Sequence, residues 1–250
     1  MASRYFIELA YDGSDFHGWQ IQPNAKTIQE TLNTALSTLL RTEIYTVGCG
    51  RTDTGVHASQ YFAHFETETP VEDLDELVYR SNRVLPVSIA LKRCFEVNNA
   101  THARFTATSR SYAYLITQQK DPFAVLRKWE MRETVDIDRM NKGAAKLLGE
   151  KDFGCFAKSN TQTETNLCNV THAQWYEDGA TLRFEVSANR FLRNMVRAIV
   201  GTLIDLGRGS ITLDDIDRIL ESKDRSEAGL SVPAHGLYLT GVSYPDGITS

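Results

Sequence analysis

The sequence predicts an α+β chain organised as two domains, and three observations carry that expectation. The 250 residues suffice for either one large core or two of about 100 to 130 residues. Runs that alternate apolar and polar residues are interleaved with runs whose apolar positions recur every three to four residues, the periods of strand and helix. A polar, basic passage, Ala103-Arg104-Phe105-Thr106-Ala107-Thr108-Ser109-Arg110, separates two such mixtures. The expected domains are therefore 1–107 and 108–250.

Tyr5 to Tyr11 alternates, with Tyr5, Ile7, Leu9 and Tyr11 on one face of a half-buried strand. Asp12-Gly13-Ser14 turns the chain, and Phe16-His17-Gly18-Trp19-Gln20 follows as an aromatic loop. Its rings suit base stacking, but anchoring to the core is the better reading of Phe16 and Trp19. Thr27-Ile28-Gln29-Glu30 has the capping-box pattern and opens a helix with Ile28, Leu32, Leu36 and Leu39 on one stripe. Ile44 to Val47 and Gln60 to Glu66 have strand character, a helix is expected from about Val71 to Val84 before Pro86, and Ile89 to Val97 reads as a strand. The order β-α-β-β-α-β is the ferredoxin-like arrangement also used by RNA-recognition domains.

In the second half, Ser111 to Ile116 resumes alternation with Tyr112, Tyr114 and Ile116 on one face, and Asp136 to Leu148 is a helix ended by Gly149. Lys158 to Asn169 is Thr/Asn-rich and expected to be a mobile loop. Gln174 to Tyr176, Thr181 to Val186 and Leu237 to Tyr244 look like strands. Asn189 to Leu203 is the strongest helix pattern, with Phe191, Met195, Ile199, Leu203 and Leu206 as its buried stripe. Arg190, Arg193 and Arg197 recur on another face, either as solvated charge or as the lining of a cleft, where guanidinium groups reach a carboxylate or phosphates. Thr212-Leu213-Asp214-Asp215 begins a last short helix.

Composition narrows the class. The N-terminus lacks the apolar core of a signal peptide, and no later run approaches the roughly 20 apolar residues that span a bilayer, so a cytoplasmic location is expected. Cys49, Cys94, Cys155 and Cys168 form no C-x-x-C pair, which points to reduced structural thiols. The six histidines include no H-E-x-x-H cluster, so no metal is indicated. A formal net charge of -5 argues weakly against nucleic acid, but acids gather at Glu72 to Glu76 and Asp214 to Asp217 while arginines crowd one C-terminal region.

The chemistry is best placed on Gly48-Cys49-Gly50-Arg51-Thr52-Asp53-Thr54-Gly55-Val56-His57-Ala58, a glycine-rich connection bearing an acid beside a base between two strand-like runs. Gly50 to Gly55 has P-loop spacing, but Val56-His57 stands where Lys-Ser/Thr is needed. Asp53-Thr54-Gly55 is also the aspartic-protease tripeptide, which requires a second such loop or a symmetric dimer. No second copy exists in the chain. The plain alternative is a turn in which Asp53 caps backbone N–H groups and pairs with Arg51.

Taken together, the chain resembles the TruA-type tRNA pseudouridine synthases over nearly its whole length. The resemblance rests on Tyr11-Asp12-Gly13 with Phe16 to Gln20, the Gly50 to Ala58 loop, Ala103-Arg104-Phe105 leading to Arg110-Ser111-Tyr112-Ala113-Tyr114, Asn194 to Gly201, and His235-Gly236-Leu237-Tyr238-Leu239. Thr54, where the family often has Ala, and Ser111 within the tyrosine motif are small departures. The resemblance implies conversion of uridine to pseudouridine at positions 38, 39 and 40 of the tRNA anticodon stem-loop, without a cofactor. It implies two ferredoxin-like domains whose mostly antiparallel sheets join as one extended sheet around a central cleft, and a homodimer that clasps the tRNA. It assigns Asp53 as the catalytic nucleophile, Tyr112 as the active-site tyrosine, and Arg51 and Arg197 as the arginines around the acid. Arg104, Arg110, Arg190 and Arg193 are candidates for phosphate contacts. The rival from another class is a non-catalytic RNA-binding module.

Overall fold

A computed structural model describes residues 2–158 and 164–249. These residues form ten strands and five α-helices, with mostly antiparallel pairing, in two compact units: Met1–Thr108 with Tyr238–Ser250, and Ser109–Leu237.

In the first unit, β1 (Ser3–Tyr11), α1 (Ile28–Leu40), β2 (Val47–Gly48), β3 (His57–Thr67), α2 (Leu74–Val84) and β4 (Ile89–Val97) follow the expected order. β1 lies antiparallel between β3 and β4, β2 pairs with β3, and each β-α-β crossover therefore skips one strand. The last strand, β10 (Leu237–Ser243), runs parallel to β3, with Tyr238 opposite His57 and Leu239 opposite Ala58.

The expectation of a half-buried first strand is corrected, because Tyr5 to Leu9 are buried without interruption. β1 is central, so both of its faces are covered. Phe6 and Phe62 meet the Tyr244 ring at centroid distances of 5.5 and 5.3 Å, and Glu8 is enclosed between Gln60 and Arg93. The second strand is shorter than predicted. Backbone groups of Ile44 and Thr46 are taken by side chains of α1: Ser37 and Asn33 accept their N–H groups, and Gln29 donates to the Thr46 carbonyl. Thr27 caps α1 by accepting the Glu30 N–H, while the full reciprocal box occurs at Thr212 and Asp215. Phe16 and Trp19 are core residues.

In the second unit, β5 (Ser109–Thr117) pairs with β9 (Thr181–Ala188), β9 with β8 (Leu167–Asp178), and β8 with β7 (Gly149–Asp152), all antiparallel; β6 (Trp129–Glu130) runs parallel to β5. α3 (Ile137–Ala145) packs on β8 and on α4 (Met195–Gly207), where Gly143 lets the helices approach until a Cβ would stand 2.4 Å from Leu206. Both amide atoms of Asn141 bond the backbone of Trp175 and join α3 to β8. α5 (Leu213–Ser222) buries Ile216 and Ile219.

Two expectations change here. Of the segment 158–169, residues 159–163 lie outside the described residues, and Leu167 to Asn169 belong to β8 rather than to a loop. The long helix begins at Met195, not Asn189, because Asn194 adopts a left-handed φ of 68° and donates its amide to Ser231 at 2.6 Å. Residues before it pair elsewhere: Asn189 N–H donates to Asn169, and the Arg193 carbonyl accepts from Lys158. Only Arg197 of the three arginines is therefore helical, and Phe191 is not part of the helical stripe.

Candidate active site

Asp53 is half-buried on a turn closed by a hydrogen bond from Val56 N–H to its carbonyl at 3.1 Å. Gly55, with φ of +76°, occupies the third position, as a type II turn requires. The aromatic loop braces this turn from the side. Trp19 N–H donates to the Thr52 carbonyl at 3.2 Å, and Gly18, at φ +83°, passes so close that a Cβ would stand 2.4 Å from that same oxygen. The Trp19 ring stacks on Tyr61 at 4.2 Å, and the Tyr61 hydroxyl donates to the Gly50 carbonyl. Thr52 is buried and shares a hydrogen bond of 2.9 Å with the Tyr11 hydroxyl. Arg51 on one side of Thr52 is exposed, so neighbouring residues are held in opposite environments.

His57, buried at the start of β3, joins this turn to the first one. Its Nδ1 accepts the Gly13 N–H at 3.0 Å, while its ring stacks on Tyr238 at 4.5 Å. Asp12 Oδ1 lies 3.1 Å from the same nitrogen and accepts from both the N–H and the hydroxyl of Ser14. His57 Nδ1 thus meets both the Gly13 backbone and the Asp12 carboxylate, and ties the first turn to the start of β3.

In the second unit, Tyr112 on β5 is half-buried, with Phe191 edge-on at 5.1 Å and 86°. The neighbouring Arg110 donates to the Asn189 carbonyl at 3.0 Å, so the 189–194 segment lies against the start of β5. Arg190 is half-buried near Cys168, and Arg193 is exposed. Arg197 on α4 donates through Nε to the Val232 carbonyl at 2.7 Å. Tyr114, fully buried two residues along β5 from Tyr112, donates to the Pro233 carbonyl at 2.7 Å. Burial holds the Tyr114 hydroxyl far above the ordinary tyrosine range, which keeps it a donor. One stretch, Val232-Pro233, thus fixes both Arg197 and the strand that carries Tyr112. Arg104 is exposed on the first unit, 5.3 Å from the Phe105 ring.

Sequence reading missed the supporting residues Tyr11, His57, Tyr114 and Phe191. The first three sit inside motifs already singled out, and their polar atoms within apolar strands were the available signal. Phe191 carried no such signal, since it fitted a helical stripe. Among the described residues no cluster of His, Cys, Asp or Glu suits a metal, and no helix is long and apolar enough to cross a membrane. All four cysteines are buried thiols outside any disulfide; burial pushes the Cys94 and Cys155 thiols up to about 12 and Cys168 to about 11, which suits inert structural roles.

Comparison with known proteins extends this geometry. A family model described as tRNA pseudouridine synthase matches residues 144–245. The tRNA pseudouridine synthase A of Parabacteroides distasonis is 47% identical over 243 residues, covering 97% of this chain and 96% of the relative. That of Bacteroides fragilis is 47% identical over 246 residues, covering 98% of each, and that of Acetivibrio thermocellus is 39% identical over 238 residues, covering 94% and 97%. With identity of 39 to 47% running over 94 to 98% of its length, the chain belongs to the tRNA pseudouridine synthase A family.

Proposed function

We propose that the protein isomerises uridine to pseudouridine in tRNA, at positions 38, 39 and 40 of the anticodon stem-loop, with Asp53 as nucleophile and no cofactor. The observation that carries this reading is the 47% identity to named synthases over 97% of the chain. The reaction breaks the bond from ribose C1′ to uracil N1, turns the base, and forms a bond from C1′ to C5; the C5 proton leaves and N1 gains one. A single ionised carboxylate can act on the nucleotide as nucleophile or as base, and the nucleophilic role is the one proposed for Asp53.

An enclosed carboxylate is raised in pKa by desolvation, and a guanidinium in contact opposes that shift. Arg197 is proposed for this pairing. Reaching a stem uridine requires turning it out of the stack at a cost of a few kcal/mol. Tyr112, its ring set by Phe191, is proposed to stack on the everted base, and Arg51 to brace the space it leaves. Arg104, Arg110, Arg190 and Arg193 are proposed phosphate contacts, with a contribution that shrinks as salt rises. The strand order of the first unit supports a ferredoxin-like assignment. A homodimer holding one tRNA across both subunits completes the proposal.

The test is tritium release from C5-labelled uridine in tRNA. Wild type is expected to release tritium, and Asp53→Asn to fall to background while still retaining tRNA on a filter. A non-catalytic RNA-binding module predicts no release from wild type and tighter binding by Asp53→Asn, since the substitution removes a charge that repels phosphate.

A further inference from the structure

The turn His102 to Phe105 presents an aromatic ring that is 74% exposed, on a support more elaborate than exposure requires. The His102 Nδ1 accepts the N–H groups of both Arg104 and Phe105, at 3.0 and 3.3 Å. The His102 backbone closes the turn, its N–H donating to the Thr106 hydroxyl and its carbonyl accepting Thr106 N–H. Ala103 is fully buried, its N–H donating to His64 Nδ1 at 3.1 Å and its carbonyl accepting the Tyr244 hydroxyl at 2.6 Å. Rings then pass outward from the core: Phe6 to His64 at 6.0 Å, His64 to His102 at 4.7 Å, and His102 to Phe105 at 4.4 Å. The Arg104 guanidinium sits 5.3 Å from the outermost ring.

A large apolar side chain left exposed yet held by a built turn is organised for contact. A ring held by a built turn, with a guanidinium over it, offers the two elements that bind a nucleotide, a flat surface for the base and a positive charge for the phosphate. Its place separates it from the reacting centre. His64, which anchors the turn, is seven residues along β3 from His57, or about 23 Å at strand rise. The geometry points to a second RNA contact at this turn, in which Phe105 stacks on an unpaired nucleobase of the tRNA and Arg104 holds the adjoining phosphate, remote from the uridine being isomerised. This inference rests on the proposed action on tRNA and adds a positioning contact to it.

Phe105→Ala is expected to raise KM for full-length tRNA roughly 5- to 150-fold with kcat unchanged, the range for loss of one base stack. Phe105→Trp should restore KM because any broad ring serves. Filter binding of tRNA against salt separates the two residues: Phe105→Ala lowers affinity without changing the slope, whereas Arg104→Ala reduces the slope by about one phosphate contact. An unchanged KM and affinity in Phe105→Ala, with wild type active, overturns the inference and leaves the proposed function intact. Absence of tritium release from wild type is instead a failure of the proposed function. A change in sedimentation mass for Phe105→Ala would assign the ring to contact between copies of the chain and also overturn it.

Discussion

The two units bury different materials. Among the described residues, the first encloses Glu8, Thr27, Gln29, Thr46, Thr52, His57, His64, Thr67, Ser81 and Thr101, whereas the second encloses only Thr117 and Thr202 of the same polar classes. α4 is buried almost all round and packs by shape. The first unit instead spends hydrogen bonds on irregular backbone, because its loops carry the acid turn and must be fixed without regular pairing. Glu8 illustrates the difference: burial alone would raise its pKa, but the Gln60 amide and the Arg93 guanidinium outweigh that and hold it below the ordinary range. One unit is thus vulnerable to titration and lost hydrogen bonds, the other to volume.

The sharpest break in this contrast is Gly201→Ala. Inside an open helix the change would stabilise by about 1 kcal/mol. Here a Cβ would stand 1.8 Å from the Leu230 carbonyl oxygen, so we expect a loss of at least about 2 kcal/mol and a clear fall in Tm, read by thermal unfolding. Gly50→Ala, with no atom within 4 Å of its Cβ, is the matched control and should stay within about 0.5 kcal/mol. If both variants melted alike, close packing around α4 would not explain the difference.

Next in size is the pH response of the first unit. Burial, then the Arg4 and His102 charges, pull His64 from 6.5 down to about 4 against the opposing influence of Glu66. The folded state therefore holds a neutral ring where the unfolded chain takes a proton. Its contribution is complete above about pH 6.5 and is lost as pH falls from there toward 4, by up to roughly 3 kcal/mol. His64→Asn keeps an acceptor for Ala103 without the titration, so its stability should change less than wild type's over that interval in urea titrations. Equal slopes would remove His64 as the cause.

The smallest expected effect is that of Thr52→Val, which keeps shape and deletes the hydroxyl facing Tyr11. A loss of about 1 kcal/mol is expected, accompanied by reduced turnover because Asp53 follows directly in the chain. Full stability and full tritium release would show that this bond does not position the acid.

The element order of the first unit was readable because its strands and helices have clear periods and α1 starts at the Thr27 cap, whereas α2 begins at Leu74, behind an Asp73 cap, rather than at about Val71. That the segment around Asp53 forms a tight turn between strands was readable from its glycines, and the structure has that turn, closed from Val56 N–H to the Asp53 carbonyl. The start of α4 was not. Arg190, Arg193 and Arg197 share helical spacing with Phe191, Met195 and Ile199, and only tertiary partners at Asn169, Lys158 and Ser231 draw residues 189–194 away from the helix. β1 was misread as half-buried for a related reason: alternation describes one face and is silent about what covers the other.

Local pattern by itself determined the kinds and order of most elements, the acid turn with Gly55 at its positive-φ corner, and the motif set that marks the family, because these depend on residues close in the chain. The tertiary structure alone decided that Tyr238 and Leu239 return beside His57 and Ala58, that Val232-Pro233 fixes both Arg197 and Tyr114, and that His64 supports the Phe105 turn. Those contacts join residues between 35 and 181 positions apart, and no periodicity in sequence reports a hydrogen bond whose two partners are so far separated.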